Sequence, residues 1–523
     1  MKKLTFTFFL VLSIISTNAS NSTDFNVLDF GVVSDSSVIS TPKIQAAIDK
    51  CYQSGGGRVY FPAGNYKSGN IVLKDNVCLY LEAGATLFAS RDSNDYKLSQ
   101  NNSGDIIPVL IYARGAKNIS IMGKGTINGC AAHDVVNVTW NDDFMGQAYQ
   151  NARKIGIPMI GYKHIKPYVC MLYLEECSYI TLRDIRLVNS QFWTTHLRWS
   201  DHIFVDNIYI ASDMKNGVNA DGLDIDGCQN VTVTNSIIET GDDALVLKTT
   251  NTLGVSRPCE NITVSNCIFQ SSSTAIKLGT ESHADFRYIT INNCVVRDSN
   301  RGLSIVIRDG AIAENIIFSN IAMELKRRDY FWWGNADPIW LVVRQRTPKS
   351  KIGIIRNVSF ENIIAHGEGT SKLEGFDASH PLENIKLKNV QLFMHPENYP
   401  EKRADDAFYA VNVNALTMND VSINWDNKNV EPLWRNAFTF SSIENLNLDK
   451  LTGSQAPNNA GVFIELNGVK NAIVENCIPN TTTNTFVKIN DANSSAITLS
   501  GNYIFGKTQK ISFAKGVKKE TIK

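Results

Sequence analysis

Along most of the chain, apolar residues alternate with polar ones in short runs. That is the period of a strand with one buried face rather than of a helix. One phrase returns many times: a polar or aromatic residue, then apolar-x-apolar, then Asn or Asp. It reads Tyr179-Ile180-Thr181-Leu182, His202-Ile203-Phe204-Val205, Asn230-Val231-Thr232-Val233-Thr234-Asn235 and Asn261-Ile262-Thr263-Val264-Ser265-Asn266. It continues as Tyr288-Ile289-Thr290-Ile291-Asn292-Asn293 and Asn315-Ile316-Ile317-Phe318-Ser319-Asn320, with further copies beginning at Asn357 and Asn384. Successive starts lie 23, 28, 31, 27, 27, 42 and 27 residues apart. Short β-branched strands at this spacing, with Asn and Gly at the turns, predict an all-β fold, a parallel β-helix (solenoid). Coils stacked about 4.8 Å apart line up inward residues like on like. Corner Asn side chains bond to their own backbone and to the next coil. A propeller fits less well. Its blades are antiparallel and about 40 residues long, and the Asn-Gly or Asp-Gly hairpins that join antiparallel strands are sparse.

A stack of coils leaves an open end that would template further strands. Thr41-Pro42 predicts a helix N-cap followed by Pro in the first turn. Ile44, Ala47, Ile48 and Cys51 give one apolar helical face, and Gly55-Gly56-Gly57 ends it. This is the expected N-terminal capping helix. The organisation that follows is a cap with the first coils over residues 20–100 and a parallel β-helix catalytic domain over 101–510. A basic, solvated tail covers 511–523, with Lys515, Lys518, Lys519 and Lys523. Residues 1–19 predict a signal peptide: Lys2 and Lys3, a mostly apolar run too short to span a bilayer, and Thr17-Asn18-Ala19 as a small-x-small cleavage site. The alternative is a buried N-terminal strand. Cleavage near Ala19 makes the protein secreted or periplasmic. No later run suggests a membrane span.

Composition changes the picture in two ways. Lys plus Arg and Asp plus Glu number 51 each, so there is no basic excess for nucleic acid. Ten Cys in an exported chain can form disulfides. However, Cys228, Cys267, Cys294 and Cys477 recur at similar points of the repeat, which predicts stacked, buried thiols. The Asn-x-Ser/Thr triplets fall on the repeat and predict corners rather than glycosylation sites.

The densest chemical signal is Asn219-Ala220-Asp221-Gly222-Leu223-Asp224-Ile225-Asp226, followed by Gly241-Asp242-Asp243-Ala244-Leu245-Val246-Leu247-Lys248. Asp221 and Asp242 stand about one coil apart, on neighbouring rungs. Gly241 lets the chain bend so that Asp242 and Asp243 both reach one side. Crowded carboxylates raise at least one pKa and titrate as a set. One acid kept protonated beside others kept ionised is the equipment of glycosidic hydrolysis. A calcium site or solvated turns are the other readings of the same residues.

These residues resemble the polygalacturonase family of glycoside hydrolases, family 28, within the pectin-lyase-like right-handed parallel β-helix fold. The resemblance runs from Asp29-Phe30-Gly31 through Gly55-Gly56-Gly57-Arg58-Val59-Tyr60-Phe61-Pro62-Ala63-Gly64 and Asn189-Ser190-Gln191-Phe192-Trp193 to Asn219-Ala220-Asp221 and Gly241-Asp242-Asp243. It implies an inverting hydrolysis with no metal and no cofactor. Asp242 would be the general acid, and Asp221 with Asp243 would hold and deprotonate the water, near Asn219. The chain departs from the family pattern at four places. Ala220 replaces a Thr, Ala244 a Cys, and Ser273 the His of a Gly-His-Gly motif. Ser304-Ile305-Val306 stands where Arg-Ile-Lys grips a galacturonate carboxylate.

Other cations lie nearby. Lys248, Lys277 and Arg308 either bind a substrate carboxylate or sulfate or neutralise the aspartates. His283 either stands in for the missing His or is a loop histidine. Trp332 and Trp333, in Tyr330-Phe331-Trp332-Trp333 with Trp340 following, either stack on sugar rings or form a small loop core. Trp193 and His196 line the cleft, unless His196 belongs to the core. Residues 130–168 carry no repeat phrase, and a loop there would close one end of the cleft and favour exo action. The expected function is an exported glycoside hydrolase, inverting and exo-acting, on galacturonate-containing pectic or related acidic oligosaccharides. Its partner is thus a poly- or oligosaccharide, with no nucleic acid. The alternatives are a calcium-dependent polysaccharide lyase and a non-catalytic glycan-binding β-helix. The sequence leaves sugar, linkage and oligomeric state open.

Overall fold

The computed structural model describes residues 24–96, 98–100, 106–131, 135–138, 154, 161–164, 167–328, 334–399, 401–458, 460–518 and 522. The expected signal peptide lies outside them. The repeat phrases each form one strand, and each strand pairs in parallel with its counterparts one coil before and after. Ile180 faces Ile203, Ile203 faces Val231, Val231 faces Ile262 and Ile262 faces Ile289. The chain winds as a right-handed parallel β-helix. One sheet of 39 strands runs through it without interruption, so the first coils and the later ones are a single stack. From Phe286–Ser299 to Phe408–Trp425, two strands of a coil merge into one bent strand of about a dozen residues or more, and in the last coils they separate again.

The corners explain the phrase. Its first residue adopts positive φ whether it is Asn or an aromatic: Tyr179 at 56°, His202 at 53°, Asn230 at 55° and Asn315 at 58°. Five residues later the chain turns again, at Asn235, Asn266, Asn320, Asn362 and Asn389. Asn tolerates the left-handed region better than other non-glycine residues. Its amide then bonds to the same residue of the coil before: Asn357 to Asn315 at 3.2 Å, Asn384 to Asn357 at 2.8 Å, and Asn389 to Asn362 at 2.9 Å. Between the corners, inward side chains stack in rows, and Phe318 lies parallel to Phe360 at 5.1 Å. All ten cysteines are free thiols, most of them buried.

The cap is the helix Thr41–Gln53, which buries Ile44, Ala47, Ile48 and Cys51 completely. Its cap residue is Ser40 rather than Thr41, and Ser40 makes no side-chain cap bond. The Thr41 hydroxyl is taken instead by the Gly69 N–H of a neighbouring coil, at 2.7 Å. At the other end, the expected tail begins too early. Residues 511–513 extend the strand Gln509–Phe513, which pairs with Thr485–Ile489. Ile511 and Phe513 continue the alternation that Val487 and Ile489 began. Within residues 130–168, Val135–Val138 pairs antiparallel with Gly161–His164, apart from the main sheet.

Asn357→Val is expected to cost about 2–3 kcal/mol, because a β-branched residue is forced into the left-handed region and two amide bonds are lost. Asn357→Gly keeps the turn and costs about 1 kcal/mol for the lost bonds. Chemical denaturation of the two variants checks the difference.

Candidate active site

The three aspartates sit just before two neighbouring strands of the same outer sheet, Leu223–Asp226 and Leu245–Thr249. The Gly222 N–H bonds to the Asp243 carbonyl, and the Thr194 N–H to the Asp221 carbonyl. With Leu223 opposite Leu245, this places Asp221 across from Asp243. Asp242 falls one residue earlier. Asp221 and Asp242 thus stand on neighbouring rungs, with Asp243 directly across from Asp221. Gly241 makes the bend possible by packing against Gly217. A Cβ on Gly241 would lie 2.6 Å from the Gly217 Cα. All three carboxylates are nearly inaccessible, with Asp242 the most exposed at 5%.

Their environments differ. Among the described residues Asp242 accepts only backbone donors, from the Asn219 N–H at 3.0 Å and the Asp243 N–H at 2.9 Å. Burial, then repulsion from Asp221 and Asp243, pushes its carboxyl well above the usual range. Asp243 takes the Ser273 hydroxyl and Thr274 N–H on one oxygen and the Lys277 ammonium, at 2.6 Å, on the other. Burial pulls Asp243 upward as well, but Lys277, Lys248 and the Ser273 bond outweigh it and hold the carboxyl low. Asp221 is raised by burial, with Lys248 opposing and Asp243 adding to the rise.

Lys248 is the second organising residue. Its ammonium lies 3.0 Å from Asp221 and 2.9 Å from Asp224, and 3.7 Å from the centre of the Trp193 ring. Burial opposes its charge, but the two carboxylates keep it protonated. Burial drives the Asp224 carboxyl well above the usual range, with Lys248 opposing and Asp221 adding to the rise. Behind it, His196 donates to Asp226 at 3.0 Å, stacks on Tyr173 and meets the edge of Trp193. Burial, ahead of Asp226, leaves this imidazole neutral. His196 is 2% exposed and supports Trp193 from below.

The other expected residues fall in three places. The exposed Asn219, at φ 59°, contributes its backbone N–H to Asp242. His283 pairs with Asp309, at 3.7 Å, and not with Asp243; Ser273 itself bonds to Asp243 where an imidazole was expected. Arg308 is half-buried beside Asp309, its N–H bonded to Ser282. Trp332 and Trp333 lie outside the described residues. Lys248 and Lys277, proposed for a substrate carboxylate, are engaged with carboxylates of the chain.

Asp224, Asp226 and Glu281 were not singled out from the sequence. The first two were legible by alternation, since Leu223 and Ile225 face inward and so turn both acids out, opposite His196 and Arg198. Glu281 is half-buried, and burial is outweighed by Lys248, Arg346 and Lys277, which hold it low. Further along the same face, a cavity of about 660 Å³ is lined by Arg344, Arg346, Glu374, Phe376 and Asn412. It does not reach the aspartates. Arg346 connects the two regions through Asp309 and Glu281.

Against known proteins, the model for glycosyl hydrolases family 28 matches residues 51–393. A probable polygalacturonase of Vitis vinifera is 25% identical over 383 residues, 71% of this chain and 74% of that one. An exo-poly-alpha-D-galacturonosidase of Dickeya chrysanthemi is 28% identical over 252 residues, 42% of this chain and 41% of its own. Among solved structures, the hyperthermoactive exopolygalacturonase of Thermotoga maritima superposes with a TM-score of 0.62 at 20% identity, covering 77% of this chain and 92% of that one. The family 28 exopolygalacturonase of Yersinia enterocolitica gives 0.61 at 21%, covering 82% and 78%. These two share the fold.

Replacing Lys248 with Met leaves Asp221 and Asp224 buried without their cation. Their folded pKa values, already raised, rise further above the unfolded value, so the loss grows with pH. Lys248→Met is expected to cost about 3 kcal/mol above neutral pH, shrinking as both acids protonate. Denaturation across a pH series measures the slope.

Proposed function

The chain belongs to glycosyl hydrolases family 28, and from that premise we propose an exported, inverting, exo-acting hydrolase of galacturonate-containing pectic or related acidic oligosaccharides. One observation carries the mechanism: of two adjacent buried carboxyls, Asp243 is clamped by the Lys277 ammonium at 2.6 Å and by Ser273 and Thr274, whereas Asp242 meets two backbone N–H groups, so burial and repulsion raise Asp242 while Lys277 holds Asp243 low. Asp242 holds a proton where Asp243 does not, which separates acid from base. In the proposed reaction, the Asp242 proton passes to the glycosidic oxygen as the bond to the anomeric carbon breaks. A water attacks that carbon from the opposite side and gives its proton to Asp243, with Asp221 holding the water in place. The sugar leaves with inverted configuration, and a later proton exchange with solvent resets the two acids.

The specific substrate rests on the relatives, several of which are polygalacturonases or exo-galacturonosidases by name. Exo action is supported by the name of the Dickeya chrysanthemi relative and by the insertion at residues 130–168, although two other relatives are endo-polygalacturonases by name. Export rests on residues 1–19.

Purified protein incubated with pectic oligosaccharides is expected to release terminal sugar, and an α-linked substrate should first yield the β-anomer by NMR. Asp242→Asn should lower kcat about a thousandfold with the fold unchanged by circular dichroism. Turnover near the native rate would remove Asp242 from the acid role. Products that absorb in the ultraviolet, together with loss of activity to a chelator, would favour the lyase instead.

A further inference from the structure

Lys277 has no counterpart in the roles assigned so far. It stands in the strand Ile276–Ser282, with Val246 opposite it on one side and Ser304 on the other. Alternation turns its side chain outward, since Ile276 and Leu278 are in the core. The stem is covered, 16% of the side chain remains exposed, and the ammonium lies 2.6 Å from Oδ2 of Asp243. The other Asp243 oxygen is filled by Ser273 and Thr274. Asp243 is therefore fixed from both sides, and one of its two clamps is a full charge.

We propose that Lys277 is a positioning residue of the hydrolysis: its ammonium decides which carboxylate of the cluster is ionised, and so which one serves as base. This rests on the hydrolase reading above. The charged groups facing the pair are Asp221 and Asp242 on the cluster side, Lys248 on the preceding coil, and Glu281 further along the strand of Lys277. Lys248 is committed to Asp221 and Asp224. Arg346 lies against Glu281 and Asp309. Among the described residues, Lys277 is thus the cation in direct contact with Asp243. Without it, Asp243 and Asp242 become two buried neighbours with similar demands, and a proton is shared between them instead of assigned.

The consequence has a sign. A base must be deprotonated, so the acidic limb of the pH–rate profile follows Asp243, and the alkaline limb follows Asp242. Lys277 holds both carboxyls down. Its removal raises both, and the whole bell moves to higher pH. A residue that only packs the site, or that only grips a substrate carboxylate, lowers kcat or raises KM without moving the limbs.

The test compares native protein, Lys277→Met and Lys277→Arg. Infrared titration of the protonated-carboxyl band is expected to show one more protonated carboxyl near neutral pH in Lys277→Met. That difference should vanish in Lys277→Met/Asp243→Asn and be largely absent in Lys277→Arg. On a pectic oligosaccharide that the native protein hydrolyses, kcat/KM of Lys277→Met should have both limbs about one pH unit higher, with kcat reduced about tenfold at the native optimum and KM changed less than about twofold. Lys277→Arg should restore the limbs. An unchanged carboxyl titration overturns the proposal, and so does an unmoved bell with a raised KM confined to acidic substrates. If the native protein hydrolyses nothing, the hydrolase reading falls, and the infrared titration still decides whether Lys277 sets the charge of Asp243.

Discussion

The spacing between rungs is the constraint on which this molecule depends. Parallel strands stack about 4.8 Å apart, and the left-handed Asn corners hold successive coils in register. Any residue type that recurs in the repeat is therefore stacked on itself. For Phe318 and Phe360 this gives favourable parallel rings. For amides it gives ladders that satisfy donor and acceptor at once. For carboxylates it gives the reverse, since Asp221 is brought across from Asp243 with Asp242 beside it.

That geometry settles the electrostatics of the outer face. Asp221, Asp224, Asp242 and Asp243 are all 5% exposed or less, and the two ammoniums among them, Lys248 and Lys277, cannot balance four negative charges. A buried excess of charge costs far more than protonation does. The cluster must retain protons, and the question is only where. The donors answer it. Asp243 has a cation, a hydroxyl and an N–H, while Asp242 has, among the described residues, two backbone N–H groups and no ion pair. Asp242 has the weaker compensation of this adjacent pair, and burial with repulsion from Asp221 and Asp243 raises it while Lys277 holds Asp243 low.

Much of this was legible in the sequence because it is periodic. Alternation gave the strands, their spacing gave parallel coils, and recurring Asn gave the corners. Ile44, Ala47, Ile48 and Cys51 gave the capping helix. What periodicity cannot supply is pairing at one-residue precision. Leu223 pairs with Leu245, so Asp221 lies across from Asp243, with Asp242 one residue earlier. Nor can it say which of two acids a long flexible side chain will reach. Lys248 and Lys277 were visible as cations near aspartates, but their commitment to Asp221, Asp224 and Asp243 depends on coil order and stem length. His283 misled for the same reason. Ten residues of sequence separate it from Ser273, but its loop turns it towards Asp309. Thr41 failed as a cap because a tertiary donor, the Gly69 N–H, claimed its hydroxyl.

The architecture also explains how the chain tolerates such a cluster. In a solenoid, each coil contacts only its neighbours, so stability is roughly a sum over coils and their interfaces. An unfavourable group of buried acids then weakens one or two interfaces instead of a shared core. Those interfaces are reinforced on the same rungs by Lys248 under Trp193 and by His196 with Asp226 and Thr250. The inward side of the same strands remains wholly apolar, with Leu223, Ile225, Leu245, Leu247, Ile276 and Leu278 in the continuous core. Function and stability are thus divided between the two faces of one sheet. The outer face can hold the charges a reaction requires because the inner face, residue for residue, continues the ladder of the coils on either side.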